Sequence, residues 1–214
     1  MSIRRATATT AAALLLAVVG CGDEGAESTT SASASQCREV EAPAPKKLDL
    51  PPPRKKAPTA SGVVFETSCG SFTVEFDKRA PRTTASFEYL AEQGAFDATT
   101  FHRVVKGQLI QGGDPLGDGT GGPGYFVDEP PPSNLAYTKG VVFMAKTTNE
   151  PIGRSGSQFL IVTAEDLGLT PDYALVGRVT EGFEVVQAIS DLGEAGADDA
   201  PLMPVVIERA TTED

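Results

Sequence analysis

From Val63 to Thr67 and again from Ser71 to Phe76, apolar and polar residues alternate with a period of two, on either side of Cys69-Gly70. That alternation puts every second side chain on one face of an extended chain, so the two runs predict a β-hairpin. The period then lengthens. After Pro81, residues Phe87, Leu90 and Ala91 fall on one helical face, and Gly94 stands where a left-handed residue ends a helix; an amphipathic helix of about three turns is predicted. Short apolar runs at Thr100–Val105, Leu109–Gln111, Gly140–Ala145, Gln158–Thr163, Tyr173–Val179 and Pro204–Ala210 bring the strand count to about eight. Between the last two, Phe183, Val186 and Ile189 within Glu181–Asp191 recur at helical spacing and predict a second helix. A mainly β chain with two helices results, most economically a closed antiparallel barrel capped by the helices, with a sandwich as the alternative.

The residues before Val63 follow neither period. Arg4 and Arg5 precede a run of small and apolar residues, Ala11 to Val19, too short to span a bilayer but of the length of a signal-peptide core. It ends in Val18-Val19-Gly20-Cys21, which resembles a bacterial lipobox. Residues 1–20 are therefore expected to direct export and be removed, leaving Cys21 as the lipid-modified first residue. Acyl chains bind a membrane surface durably, because each buried methylene contributes about 0.8 kcal/mol. The expected location is extracytoplasmic, at a periplasmic face or the cell surface.

Residues 21–61 are rich in Gly, Ser, Thr and Ala at first and in Pro afterwards (Pro43, Pro45, Pro51, Pro52, Pro53, Pro58), a composition that predicts a disordered tether. Lys46, Lys47, Arg54, Lys55 and Lys56 read as a solvated linker, with anionic headgroups as the alternative contact. Residues 62–214 form the globular part. With Cys21 lipidated, Cys37 and Cys69 are the remaining thiols, and in an oxidising compartment a Cys37–Cys69 disulfide is expected.

Charge and composition narrow the chemistry. The formal net charge of -11 argues against nucleic acid as a partner. Three cysteines without zinc spacing and a single histidine, His102, leave no basis for a metal site of nitrogen and sulfur ligands. The glycines between Gly112 and Gly124 superficially suggest a phosphate-binding loop, but no lysine follows in the right place and no helix begins there.

Residues 101–129 read FHRVVKGQLIQGGDPLGDGTGGPGYFVDE, and this resembles the signature of the cyclophilins. Phe143-Met144-Ala145, Gly156 to Phe159, the helix at Ala80–Phe87 and the strand Leu175–Val179 extend the resemblance across about residues 62–210. It implies an eight-stranded antiparallel barrel with a helix at each end, and peptidyl-prolyl cis-trans isomerisation as the activity. No cofactor is implied, the expected partners are proline-containing unfolded or exported polypeptides, and a monomer is expected. The barrier to rotating an X-Pro bond is lost amide resonance, about 18–20 kcal/mol. As the bond twists, the prolyl nitrogen gains a lone pair that a rigid, permanently charged donor stabilises. The resemblance gives that role to Arg103 and has Gln111 hold a substrate carbonyl. It places Leu109, Met144, Phe159 and Leu160 around the proline ring, with Ala145 and Gln158 along the peptide groove and His102 supporting the site.

Several positions depart from the family. Gln108 stands where a phenylalanine is usual, Leu160 where a second one is common, Lys146 and Thr147 replace a small polar pair, and Tyr173 replaces a pocket-edge histidine. Losing an aromatic contact costs on the order of tenfold in affinity. The chain also contains no tryptophan, and the indole that contacts cyclosporin in tight-binding members is missing near Gly168-Leu169-Thr170, so weak cyclosporin binding is expected. Gln108 and Leu160 keep a second reading open, a cyclophilin-fold peptide-binding or chaperone module with little turnover. A lipid-anchored solute-binding protein is a third reading, supported by the export signal and nothing else.

Overall fold

The computed structural model describes residues 37–194 and 199–214. The expected signal peptide, the lipid attachment at Cys21 and the tether up to residue 36 lie outside the described residues. The predicted hairpin is β1 (Gly62–Thr67) and β2 (Gly70–Phe76), paired in register from Gly62 opposite Glu75 to Thr67 opposite Gly70. Helix α1 (Pro81–Glu92) follows, with Pro81 in its first turn, and Gly94 beyond its end takes φ 62°. Then come β3 (Thr99–Thr100), β4 (Arg103–Val105), β5 (Leu109–Gly112), β6 (Val127–Asp128), β7 (Val141–Met144), β8 (Arg154–Ser155), β9 (Phe159–Val162), β10 (Leu175–Glu181), α2 (Phe183–Asp191) and β11 (Val206–Glu213).

Among the described residues, nine strands form one antiparallel sheet in the order β3-β11-β1-β2-β10-β7-β9-β5-β4, and β6 pairs with β8 separately. The expected strand Thr100–Val105 is therefore two strands, β3 and β4, at opposite edges of the sheet. Only Phe101 and His102 separate them, and three residue steps reach at most about 10 Å. The sheet must curl until its edges nearly meet, giving a curled half-barrel of nine strands whose seam the chain crosses, where the resemblance implied a closed barrel of eight.

Curling gives each strand an inner and an outer face, and the period of two assigns the residues. Inside, Phe65, Phe72, Phe87, Phe96, Phe101 and Phe159 form an aromatic cluster with Ile110, Val142, Met144 and Ile161. Phe87 and Phe96 lie 4.8 Å apart between ring centres, and Phe65 and Phe159 5.3 Å apart. A second apolar cluster holds Leu109, Tyr137, Val141, Phe143, Leu160, Val162 and Leu175. Neighbours in sequence thus part company: Phe159 and Ile161 belong to the inner cluster, Leu160 and Val162 to the outer one.

Residues 37–61 are not the disordered tether that their composition predicted. Cys37 is joined to Cys69 in the hairpin turn, and the backbone N–H groups of Arg38, Lys46 and Leu50 donate to Ser68, Pro115 and Pro123 carbonyls, each at 2.8 Å. Leu48 and Leu50 pack on the main core. Buried Glu88 of α1 accepts the Thr59 and Ala60 N–H groups at 3.0 and 2.9 Å and pairs with Lys55 at 3.5 Å. Burial pushes that carboxyl up, but these hydrogen bonds and the Lys55 charge outweigh it and leave the group below its usual range. A proline-rich extended segment has no internal backbone hydrogen bonds and little chain entropy to lose, so it can donate its N–H groups to another surface. The segment is a strap laid across the barrel.

Candidate active site

Register, more than sequence proximity, assembles the site. Arg103 of β4 pairs with Gln111 of β5, Gln111 with Leu160 of β9, and Leu160 with Phe143 of β7. Residues directly opposite in antiparallel strands project from the same face, so these four form a row across the outside of the barrel. The row below it consists of Val105, Leu109 and Val162. A guanidinium and an amide thus stand at one end of an apolar floor made by Leu109 and Leu160, with Phe143 enclosed beyond it under the rings of Tyr137 and Tyr173, 4.7 and 5.5 Å away.

Hydrogen bonds fix the polar end. Arg103 donates from Nε to Asp199 Oδ2 at 3.0 Å and from Nη1 to Gln111 Oε1 at 3.4 Å. Gln111 Nε2 donates to Gln158 Oε1 at 2.9 Å, and Gln158 Nε2 donates to the Gly119 and Gly121 carbonyls at 3.0 and 2.9 Å. Buried Asp114 holds that loop by accepting the N–H groups of Leu116 and Gly119 at 2.9 and 2.6 Å. Gly113 (φ 77°) permits the close approach of β5 to Ser157, whose carbonyl would lie 2.6 Å from any added Cβ. A rigid cationic donor at the edge of an apolar floor suits an amide whose nitrogen becomes basic as it twists.

A model of the family described as "Cyclophilin type peptidyl-prolyl cis-trans isomerase/CLD" matches residues 62–212. The chain belongs to that family. Peptidyl-prolyl cis-trans isomerase-like 1 of Aspergillus fumigatus is 38% identical over 156 residues, covering 71% of this chain and 94% of that protein. Peptidyl-prolyl cis-trans isomerase B of Streptomyces anulatus is 42% identical over 121 residues, 55% of this chain and 67% of that one. The crystal structure of a Cryptosporidium parvum cyclophilin type peptidyl-prolyl cis-trans isomerase, in the presence of the dipeptide Ala-Pro, superposes with a TM-score of 0.65 at 29% identity, covering 72% of this chain and 99% of that one. The protein is a peptidyl-prolyl cis-trans isomerase of the cyclophilin type.

Within this cyclophilin the expected site residues divide. Arg103, Gln111, Leu109 and Leu160 share the outer face, and Gln158 and Ala145 line the adjoining groove. Phe159 and Met144 do not share that face, although the resemblance placed them there: each sits one residue out of phase with the outer row and turns into the inner core. Gln108 is exposed at the turn before β5, and its carbonyl accepts the Thr163 and Ala164 N–H groups. Tyr173 packs on the outer cluster, its ring 5.5 Å from Phe143, with Lys146 Nζ 5.3 Å from its ring centre. His102 lies at the seam with a buried, unpartnered Nδ1, and burial lowers its pKa below the ordinary value.

One contributor escaped the sequence reading. Asp199 gave no signal at all: it lies in an acidic, glycine- and alanine-rich stretch, and only the return of the chain toward β4, where its carbonyl accepts the Val104 N–H at 2.6 Å, brings its carboxylate to Arg103.

Proposed function

We propose that this isomerase accelerates prolyl isomerisation in polypeptides folding outside the cytoplasm, with Arg103 stabilising the twisted amide, and that it acts as a monomer tethered to a membrane through lipidated Cys21. The supporting observation is the outward row Arg103-Gln111-Leu160-Phe143, which sets a cation and an amide beside an apolar floor. Asp199 engages Nε and Gln111 accepts from Nη1, which leaves Nη2 for the prolyl nitrogen. Gln111, held through Gln158, aligns the neighbouring carbonyl, while the proline ring rests against Leu109 and Leu160. Proton transfer has no part in this, because rotation breaks no covalent bond and the barrier is lost resonance. Chains refolding outside the cytoplasm meet prolyl steps of tens of seconds, the delay such an enzyme removes.

The test is protease-coupled isomerisation with the full-length chain. Arg103→Ala should lower kcat/KM by about 100- to 1000-fold, the usual loss on removing a preorganised donor to developing charge, with an unchanged unfolding transition. If the unmodified protein fails to exceed the uncatalysed rate, the activity proposed for these residues falls and the weakly active peptide-binding module replaces it. Incorporation of labelled palmitate that is abolished by Cys21→Ser checks the anchor.

A further inference from the structure

Beyond Gln111, the outer face opens into a groove of about 710 Å³. One side is built by the barrel, through Gln111, Gln158, Ala145 and Lys146, and the other includes Lys46, Lys47 and Leu48 of the strap. This position of the strap is fixed. The Lys46 N–H is bonded to Pro115 and the Leu50 N–H to Pro123, while Lys46 Nζ donates to the Gly94 and Asp97 carbonyls at 3.0 and 2.5 Å. Gly124, at φ 96°, lets the strap pass: a Cβ there would stand 3.0 Å from the Asp49 Cα.

The groove differs in charge from the molecule around it. The whole chain carries -11, yet the charged side chains lining the groove are Lys46, Lys47, Lys146 and Arg154 against Glu150. Arg154 is neutralised by a two-pronged pair with Asp128 at 2.8 and 2.9 Å. Glu150 is turned onto Thr147, accepting its N–H and hydroxyl at 2.5 and 2.9 Å. Lys46 and Lys146 donate only to carbonyls, and Lys47 is exposed. The Lys46 ammonium is held by the Gly94 and Asp97 carbonyls outside the groove lining, so Lys47 and Lys146 are the ammonium groups that serve the groove, with one carboxylate beside them.

We propose that the strap is a specificity element of the peptide groove, selecting polypeptides that carry an acidic side chain close to the isomerised proline. The inference rests on the isomerase site proposed above. Because the disulfide, the backbone bonds and the Glu88 clamp hold the strap in place beforehand, a client loses no extra freedom in ordering it. Lys47 supplies the attraction most directly and Lys146 adds to it at the junction with the proline floor.

The experiment uses the oxidised full-length chain and a set of proline peptides with Glu, Gln or Lys at each of three positions on either side of the proline, measured for kcat/KM. At low ionic strength Glu should exceed Lys by about tenfold at the position facing the strap, since one exposed pair is worth up to about fivefold and the lysine peptide is also repelled. The gap should close at about 1 M salt, where the screening length is about 3 Å. Lys47→Glu should shrink the Glu-to-Lys ratio at least about threefold, and Lys47→Gln by less. Equal rates for Glu and Lys peptides, or a ratio untouched by Lys47→Glu, overturn the proposal. Should turnover be absent, anisotropy with the same labelled peptides reads the groove directly: a Glu preference there upholds the strap and sinks the isomerase mechanism, whereas no preference sinks the strap.

Discussion

Phe159 and Leu160 are adjacent on β9, yet they serve different ends. Phe159 is wholly enclosed, its ring near those of Phe65, Phe87, Phe96 and Phe101. Leu160 lies on the opposite face, opposite Gln111 on one side and Phe143 on the other. One peptide unit separates the residue that holds the barrel together from the residue proposed to receive the substrate. In a curled sheet the inner surface is consumed by packing, so a binding site has to be written on alternate residues of the same strands. The two faces answer to different constraints: volume and shape inside, and a matched row of polar and apolar groups outside.

Truncating the inner member should have the largest effect. Phe159→Ala should destabilise the fold by about 3–5 kcal/mol, the usual cost of emptying an aromatic core position; a variant losing less than about 1 kcal/mol in denaturant unfolding would break the contrast. Leu160→Ala should cost nearer 2 kcal/mol, the low end for leucine. Assayed where it remains folded, it should also lower kcat/KM about tenfold through weaker contact with the proline ring. An unchanged kcat/KM would remove Leu160 from the outer floor.

The smallest effect concerns His102, which joins inward Phe101 to outward Arg103. Burial, the largest influence, lowers its pKa below the ordinary 6.5. The unfolded chain therefore binds a proton in a range where the folded chain does not, so stability is full above about pH 6.5 and declines as the pH falls from there through the lowered value. Thermal unfolding of the unmodified chain should show that decline and His102→Gln should flatten it. In both, the isomerisation rate should change little between pH 6.5 and 8, since Arg103 keeps its charge throughout. A steep rate change in that range that disappears in His102→Gln would move His102 from structure into catalysis.

The strap adds a third term. Its composition reads as disorder, yet Leu48 and Leu50 alternate between prolines, and the expected Cys37–Cys69 link already required residue 37 to return to the hairpin. The composition nevertheless predicted a disordered tether, and only the packed structure shows the segment ordered. Proline-rich composition describes what a chain does when nothing else offers its N–H groups partners; here Pro115, Pro123 and Glu88 offer them.

By itself the sequence determined the hairpin, both helices, the mainly β class, the family through its run from Phe101 to Glu129, and Arg103 and Gln111 as the polar pair. Those features are local: periodicity, turn residues and a contiguous motif survive in one dimension. Tertiary structure decided the split of Thr100–Val105 across the seam, the inward turn of Met144 and Phe159, the pairing of Asp199 with Arg103 and the course of the strap. Each of these depends on contacts between residues far apart in the chain. Which face of a strand is inside is fixed only when the sheet curls, and which carboxylate meets Arg103 is fixed only when β11's approach returns past β4.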